Sequence, residues 1–186
     1  MKVKGPALVS LQSFILSEFG AEEGYHEWFN SLSSESKEIY KGKPQLDKWY
    51  PLAEGLEEPT QKICDLFYKG KAQGAWASGR YSADFALNTL MRIFISVTSV
   101  SYIVKKSAKI LTRYYEPCEA EVVVDKEKEA VVRITNFDEM STMIENRIAG
   151  YMQRAAELTG GHDVNVFIGP SITRAHSFTE FKVQWK

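Results

Sequence analysis

Arg80 and Asp84 are the two residues whose types and spacing could do chemistry in this chain. They lie four positions apart, about one helical turn, in a stretch that is otherwise apolar. The aromatic residues Tyr81 and Phe85 are next to them in the sequence. A guanidinium at the mouth of an aromatic-lined cavity could hold an anionic or carbonyl group of a ligand. The alternative is a structural ion pair at a helix–helix seam, and the sequence leaves both open.

Two further aromatic features extend this candidate site. Trp76 lies one turn before Arg80, so both side chains rise along the same side of a helix. Trp49 and Tyr50 precede Pro51, which disfavours a regular helix there, and we expect this pair to form a lid. We expect all the candidate residues to surround one cavity between the central helix and the preceding helices. The predicted ligand-binding residues are Trp49, Tyr50, Trp76, Arg80, Tyr81 and Asp84.

The other reactive side chains lack the spacing that a catalytic or metal site requires. The three histidines, His26, His162 and His176, have no ligand partner at the usual intervals. Cys64 falls between apolar neighbours, so a buried and inert thiol is expected. No nucleophile elbow, Walker loop or dinucleotide fingerprint is present. We expect no catalytic residues, no cofactor, no haem and no metal, and an enzyme with an unrecognised site is the least favoured alternative.

Length and composition are those of an ordinary globular protein. The chain has 186 residues, of which 44% are hydrophobic and 25% charged. The net charge of −1 argues against a nucleic-acid-binding surface built on bulk charge. No segment is apolar and long enough to predict a membrane span. Two cysteines make no disulfide framework and no apolar leader follows Met1, so a cytoplasmic location is expected.

The candidate site needs a helix to position it, and apolar spacing predicts one over 72–96. Its small residues would let neighbouring elements approach closely. Apolar residues at helical intervals also predict helices within 8–19, 25–32 and 52–67, which together form an N-terminal helical layer. A serine-rich run at 31–36 is expected to end the second of these. The stripe of the central helix consists of Ala72, Trp76, Gly79, Ala83, Ala86, Leu90 and Phe94.

The hydrophobic period changes after Pro117 from helical to alternating. Residues 120–124 and 130–134 alternate across a short polar loop, which predicts a hairpin with one wet face. A long helix opened by Asp138 or Ser141 follows, and then a second strand pair within 164–185. The chain is therefore predicted to be α+β, an N-terminal helical layer plus a four-stranded antiparallel sheet of two hairpins crossed by a long helix. We expect a single domain, 1–186, mainly helical over 1–116 and hairpin-helix-hairpin over 117–186.

Short motifs spread over nearly the whole chain follow the layout of a known family. They are Lys4-Gly5 with Phe14 and Phe19-Gly20, Trp49-Tyr50-Pro51-Leu52, Arg113-Tyr114-Tyr115, Ala155-x-x-Leu158-Thr159-Gly160-Gly161, and Phe181-x-Val183-x-Trp185. In these the sequence resembles a bacterial paralogous family of unknown function, first noticed in myxobacteria. That family is similar to the 4-vinyl-reductase-type small-molecule-binding domains and, more distantly, to haem nitric-oxide-binding and TRAPP vesicle-tethering folds. The resemblance implies a sensory domain.

Two departures limit what the resemblance implies. The vinyl-reductase-type domains often carry a cysteine-rich hairpin before the last strand, whereas residues 171–179 contain no cysteine. The haem sensors use an axial histidine and a Tyr-x-Ser-x-Arg motif. This chain has Tyr81-Ser82-Ala83-Asp84 instead, and its predicted core helices contain no histidine beyond His26. The resemblance to those sensors therefore does not imply that this chain binds haem.

The sequence thus predicts a non-enzymatic small-molecule-binding or sensory domain with an aromatic-lined pocket. Its expected partner is a small apolar or anionic ligand, without nucleic acid or a membrane span. The alternative is a structural or scaffolding module that dimerises and has no ligand. A homodimer is expected because Phe14, Tyr25, Trp28 and Phe29 form an apolar group near the N-terminus, and the tethering folds pair through helices.

Overall fold

The N-terminal half of the chain is mainly helical. A computed structural model describes residues 1–88 and 99–186. The elements of this half are β1 (Lys2–Lys4), α1 (Gly5–Glu18), α2 (Tyr25–Ser31), α3 (Ser34–Tyr40), β2 (Trp49–Pro51), α4 (Glu58–Phe67) and α5 (Gln73–Asn88). The predicted central helix begins one residue later than expected, at Gln73. Its predicted part from 89 to 96, with Leu90 and Phe94, lies outside the described residues.

The C-terminal half alternates helices with a four-stranded sheet. Its elements are α6 (Val100–Tyr114), β3 (Tyr115–Glu116), β4 (Glu119–Lys126), β5 (Glu129–Thr135), α7 (Thr142–Leu158), β6 (Asn165–Ile168) and β7 (Thr179–Gln184). The strand order is β4-β5-β7-β6 and every neighbouring pair is antiparallel. The predicted α+β class with two hairpins is confirmed, while the assignment of 1–186 to a single domain stays a prediction.

The sheet has one buried face and one wet face. Val132 lies opposite Phe181, which in turn lies opposite Ile168, and these side chains point to the core. On the other face Arg133 pairs with Glu180 at 2.7 Å. Helix α6 contacts β4 and β5, and α7 contacts β6 and β7. Two helices therefore cover the sheet, where the sequence predicted that a single long helix would cross it.

A small second sheet ties the N-terminus to the end of α6. Its order is β2-β1-β3, and Val3 lies opposite both Tyr50 and Tyr115. Trp49 and Tyr50 are extended, as Pro51 indicated, but they form part of this sheet. Strands of two or three residues are too short to show a period of two, which is why the sequence did not predict the sheet.

Serine caps define the starts of three helices. The hydroxyls of Ser99 and Ser141 accept hydrogen bonds from backbone N–H groups at the starts of α6 and α7. Of the two residues predicted to open the long helix, Asp138 and Ser141, the cap is Ser141. Ser33 caps α3 in the same way. The serine-rich run at 31–36 therefore ends one helix, as predicted, and also begins the next.

The apolar group expected to form a dimer interface lies largely inside the chain. Trp28 is fully buried and Phe14 is 3% exposed. Tyr25 and Phe29 stack at a centroid distance of 6.0 Å and pack against the core. Most of this apolar group is therefore taken up by the core of the chain, and only Tyr25 and Phe29 are partly exposed. The homodimer stays a prediction, without this support.

Candidate functional site

A cavity of about 280 Å³ lies between α1, α5, α6 and α7. Its polar wall is formed by Ser10, Ser82, Tyr114, Tyr115, Arg147 and Tyr151. Its apolar wall includes Ala7, Phe85, Ile110, Leu111 and Ile148. Pro6, Leu46 and Ala86 also line the cavity, and because Leu46 and Ala86 are exposed, the cavity reaches the surface near them. We call this space the Arg147 cavity.

A close crossing of α5 and α7 positions the polar end of the cavity. A Cβ atom added to Gly79 would lie 2.0 Å from the carbonyl oxygen of Arg147. A Cβ added to Gly150 would lie 2.1 Å from the carbonyl oxygen of Trp76. No side chain fits at either position, so the two backbones are in direct contact. This crossing brings Arg147 within reach of the serines on α5.

Arg147 is the most buried cation of the site, with 3% of its surface exposed. Its Nη1 donates to the Ser78 hydroxyl at 2.8 Å. Its Nη2 donates to the Ser82 hydroxyl at 2.6 Å and to the Ser10 hydroxyl at 3.0 Å. The same nitrogen lies 3.1 Å from the carbonyl oxygen of Ala7. Each of these acceptors is electrically neutral. The guanidinium therefore has hydrogen-bond partners, but none of them carries a charge that would balance its own.

No carboxylate balances this charge among the described residues. Burial lowers the pKa of the Arg147 guanidinium. The nearby phenols of Tyr115 and Tyr40 oppose that change. Glu145 on the same helix is occupied elsewhere, because it accepts hydrogen bonds from Ser171 and Thr173. Residues 89–98 contain neither aspartate nor glutamate in the sequence. A buried charge without a counter-ion is unfavourable unless something else compensates it.

The tyrosines of the cavity are held in their neutral form. Burial raises the pKa of Tyr115 to about 12, although the nearby Arg147 opposes the rise. Burial also raises the pKa values of Tyr114 and Tyr151. At neutral pH these phenols therefore remain protonated, and they offer hydrogen-bond donors and aromatic surface.

Three of the six residues predicted from the sequence, Trp76, Arg80 and Asp84, belong to a separate network on the outer side of the same helix pair. Trp76 Nε1 and Arg80 Nη1 both donate to the Gln153 side-chain oxygen, at 2.8 and 2.9 Å. Arg80 also makes two hydrogen bonds to the Glu157 carboxylate, at 2.7 and 2.8 Å. Arg154 joins Glu157 to Asp84, with its Nε 3.0 Å from each Asp84 oxygen. We call these residues the outer network.

The proposed structural pair of Arg80 with Asp84 is wrong. Although their spacing puts them one turn apart, each takes its partner from α7: Arg80 pairs with Glu157, and Asp84 pairs with Arg154. The cause is the Gly79–Gly150 crossing, which holds the two helices so close that long side chains reach across it. An interhelical partner thus replaces the partner on the same helix.

The remaining predicted residues lie apart from the outer network. Trp49 is 37% exposed, with the Lys4 ammonium 4.7 Å from its ring centroid. The Tyr50 hydroxyl accepts a hydrogen bond from the backbone N–H of Gln45. Tyr81 packs against Phe14. None of the six predicted residues is part of the described lining of the Arg147 cavity. Their role in binding stays a prediction, but the expected location of the cavity is corrected.

Arg147 was not among the predicted site residues, although the sequence contains a signal for it. Arg147 comes three residues after Ile144 and four before Tyr151, so helical spacing puts it on the same face as these two residues. A charged residue at such a position must be buried or must distort the packing. Ser10 and Ser82 carried no comparable signal, because lone serines occur throughout helices.

Comparison with known proteins supports the fold. No protein-family model and no curated protein matches the sequence. Among solved structures, an H-NOX protein from S. oneidensis in the Fe(II)NO ligation state is 10% identical, with a TM-score of 0.74 over 98% of this chain and 99% of that one. The Fe(II) unliganded H-NOX protein from K. algicida is also 10% identical, with a TM-score of 0.71 over 98% and 96%. The chain has an H-NOX-like fold. The predicted resemblance to haem nitric-oxide-binding folds is thereby confirmed at the level of fold, and no family model supports the myxobacterial-type family.

The Arg147 cavity does not fit the haem that this fold implies. Haem iron is held by histidine, cysteine, methionine or tyrosinate. The described lining contains none of the first three. Its tyrosines are poor candidates, because their raised pKa values oppose formation of a phenolate. His26, His162 and His176 are all exposed. Residues 89–98 contain no histidine, cysteine or tyrosine and one methionine, Met91.

Across residues 1–88 and 99–186, no three or more histidine, cysteine, aspartate or glutamate side chains are grouped so that they could hold a metal ion. No helix within those two ranges has the length and apolar character needed to cross a membrane.

Proposed function

We propose that this chain is a non-enzymatic sensory domain that binds a small, partly apolar molecule in the Arg147 cavity. The observation that carries the proposal is the cavity itself, with largely apolar walls and a few convergent polar groups at one end. Binding sites for small molecules are typically built in this way. The polar end consists of Arg147, Ser10, Ser82 and Tyr115.

The fold supports the proposal. The S. oneidensis protein named above is described with Fe(II) and nitric oxide, so the same fold holds a small-molecule site there. The described residues that line the Arg147 cavity include no matching ligand for haem, and we propose that a different molecule occupies this space. The finer relationship to the myxobacterial-type family and the vinyl-reductase-type domains, in a bacterial cytoplasm, is part of the proposal and is supported only by the sequence motifs.

A ligand-free scaffolding module remains the alternative. A scaffold has no need of a cavity with a buried cation, whereas a sensor does. The predicted homodimer fits either function, because a ligand-binding domain can also dimerise. Saturable binding of a small molecule therefore distinguishes the two functions, and the oligomeric state does not.

The experiment is a titration with N-phenyl-1-naphthylamine, a neutral apolar dye that fluoresces when it leaves water. Wild-type protein is expected to bind it with saturable, one-to-one stoichiometry. Ala86→Trp would fill the mouth of the cavity, where residue 86 is exposed and the fold should tolerate the change. This variant is expected to weaken dye binding by about tenfold or more, as expected when a pocket wall is obstructed.

Ala53→Trp provides the matched control. Ala53 is also exposed, but it is not part of the cavity lining. The control is expected to bind the dye within about twofold of wild type. Non-saturable dye binding by wild type, or equal binding by both variants, would contradict the proposed function and favour the scaffold.

A further inference from the structure

The charge of Arg147 has no structural explanation within the described chain. An arginine that serves packing or helix–helix orientation usually has a carboxylate partner, as Arg80 and Arg154 do. Arg147 is more deeply buried than either and has none. Hydrogen bonds reduce the cost of desolvating an ion, and an opposite charge beside it reduces that cost further. The neutral groups around Arg147 supply hydrogen bonds, but no opposite charge is present among the described residues.

The hydroxyls around Arg147 do not depend on it. The Ser10 hydroxyl donates to the Ala7 carbonyl oxygen at 2.8 Å, and it lies 2.5 Å from the Ser82 hydroxyl. The Ser78 hydroxyl donates to the Ala75 carbonyl oxygen, also at 2.8 Å. If the guanidinium were absent, each serine would keep a partner. Arg147 is therefore not needed to satisfy these buried hydroxyls.

The surroundings of the guanidinium favour one class of anion. Arg147 lies at the polar end of a cavity whose other walls include Ile110, Leu111 and Ile148. The planar fork of arginine matches the two oxygens of a carboxylate. Serine hydroxyls can rotate to donate to the same group. A phosphate, with up to two negative charges, would call for more than one cation, and Arg147 is the sole Arg or Lys in the described lining.

We propose that the Arg147 cavity takes an organic monoanion, a carboxylate on an aliphatic or aromatic body, whose charged group pairs with Arg147 beside Ser10 and Ser82. This inference rests on the proposed function and specifies its ligand class. The ligand supplies the negative charge that the fold omits, and its apolar body fills the rest of the cavity.

The experiment compares octanoate with 1-octanol, which has the same chain length and no charge. Each competes with N-phenyl-1-naphthylamine on the full chain at neutral pH. Octanoate is expected to compete at least about tenfold better than octanol, the order expected for a charge-assisted hydrogen bond in a dry site. Arg147→Met should abolish this preference and still bind the dye. The matched control, Arg154→Met, removes an arginine from the outer network and should preserve the preference.

The outcomes separate this inference from the proposed function. Equal competition by octanoate and octanol in wild type, with dye binding intact, would overturn the carboxylate inference and leave the cavity as a neutral-ligand site. A preference for octanoate that survives in Arg147→Met would also overturn it. Failure of wild type to bind the dye would overturn the proposed function itself. The comparison of octanoate with octanol on wild-type protein does not depend on a variant. The test therefore works even if Arg147→Met does not fold.

Discussion

The Arg147 cavity and the outer network lie on the same pair of helices and use arginine in opposite ways. In the outer network, Arg80 and Arg154 are about one-third exposed and share the Glu157 carboxylate, and Arg154 also holds Asp84. In the cavity, Arg147 is buried, and its hydrogen-bond partners among the described residues are all neutral. The outer arrangement is complete without a ligand, and the inner arrangement lacks a negative charge.

This difference distinguishes arginines that stabilise the fold through ion pairs from an arginine that could pair with a ligand. Exposed ion pairs contribute about 0–1 kcal/mol each, and water screens them. A buried, unbalanced cation reduces stability, so a fold that keeps one gains something other than stability from it. Functional sites are where such locally unfavourable arrangements are found. The residues that looked most reactive in the sequence are those whose charges are already paired.

The largest expected effect comes from breaking the crossing that supports both regions. Gly150→Ala places a methyl group 2.1 Å from the Trp76 carbonyl oxygen, so the helices must separate. We expect a loss of about 3 kcal/mol in unfolding free energy, at the upper end for overpacking. Chemical denaturation measures it. Gly42→Ala is the control, because nothing lies within 4 Å of its added Cβ. A tolerated Gly150→Ala would refute the close crossing.

The next largest effect concerns the carboxylate that two arginines share. Burial would raise the pKa of Glu157, but hydrogen bonds from Arg80 and Arg154 outweigh it and leave the pKa lowered. Its stabilising contribution is therefore present above the ordinary value of 4.5 and is lost as the pH falls through the folded-state pKa. We expect Glu157→Gln to reduce unfolding free energy by about 1 kcal/mol at pH 7.

A pH series of chemical denaturation tests this expectation. The difference between wild type and Glu157→Gln should shrink as the pH falls from 7 toward 3. A difference that grows with acidity would show that Glu157 is not held ionised by the two arginines.

A smaller effect distinguishes the observed pair, Arg154 with Asp84, from the pair that the spacing suggested, Arg80 with Asp84. In double-mutant cycles with alanine, Arg154 and Asp84 should couple by about 0.5 kcal/mol. Arg80 and Asp84 should couple more weakly, because they have different partners. Stability measurements on wild type, the three single variants and the two double variants provide both values. Stronger coupling between Arg80 and Asp84 than between Arg154 and Asp84 would show that the two residues of α5 pair with each other.

The smallest loss of stability is expected from replacing Arg147, whose charge is more deeply buried than those of Arg80 and Arg154. Arg147→Met removes a desolvated cation, fills a similar volume and leaves the serine hydroxyls with partners. Unfolding free energy of the ligand-free protein should fall by less than about 0.5 kcal/mol, or should rise. Thermal and chemical denaturation measure it. A loss above about 3 kcal/mol would show that Arg147 is a structural residue.

The elements of the fold could largely be predicted from the sequence because they follow from local patterns. The alternation around Val122 and Val132 predicted the first hairpin, and Ser99 and Ser141 are found as caps. The small residues of α5 indicated close packing, which the structure shows at Gly79. Each of these signals is carried within a few residues of the element that it describes.

The site could not be predicted in the same way, because its residues come from four helices. The charge spacing of Arg80 and Asp84 described one helix in isolation, whereas their partners lie more than 65 positions away, on α7. Arg147 depends on serines of α1 and α5 for its surroundings. Only the packing of the helices decides which charges are balanced, and no local pattern reports it.

The most direct test of the central claim observes the arginine side chains themselves. The Nε–Hε signals of Arg147, Arg80 and Arg154 can be assigned in a ¹H–¹⁵N spectrum by their loss from single methionine variants. On saturation with octanoate, the Arg147 signal is predicted to shift while those of the outer network stay in place. An unchanged Arg147 signal at saturating octanoate, or a shift confined to Arg80 and Arg154, would contradict the claim that the buried arginine is the anion-binding group.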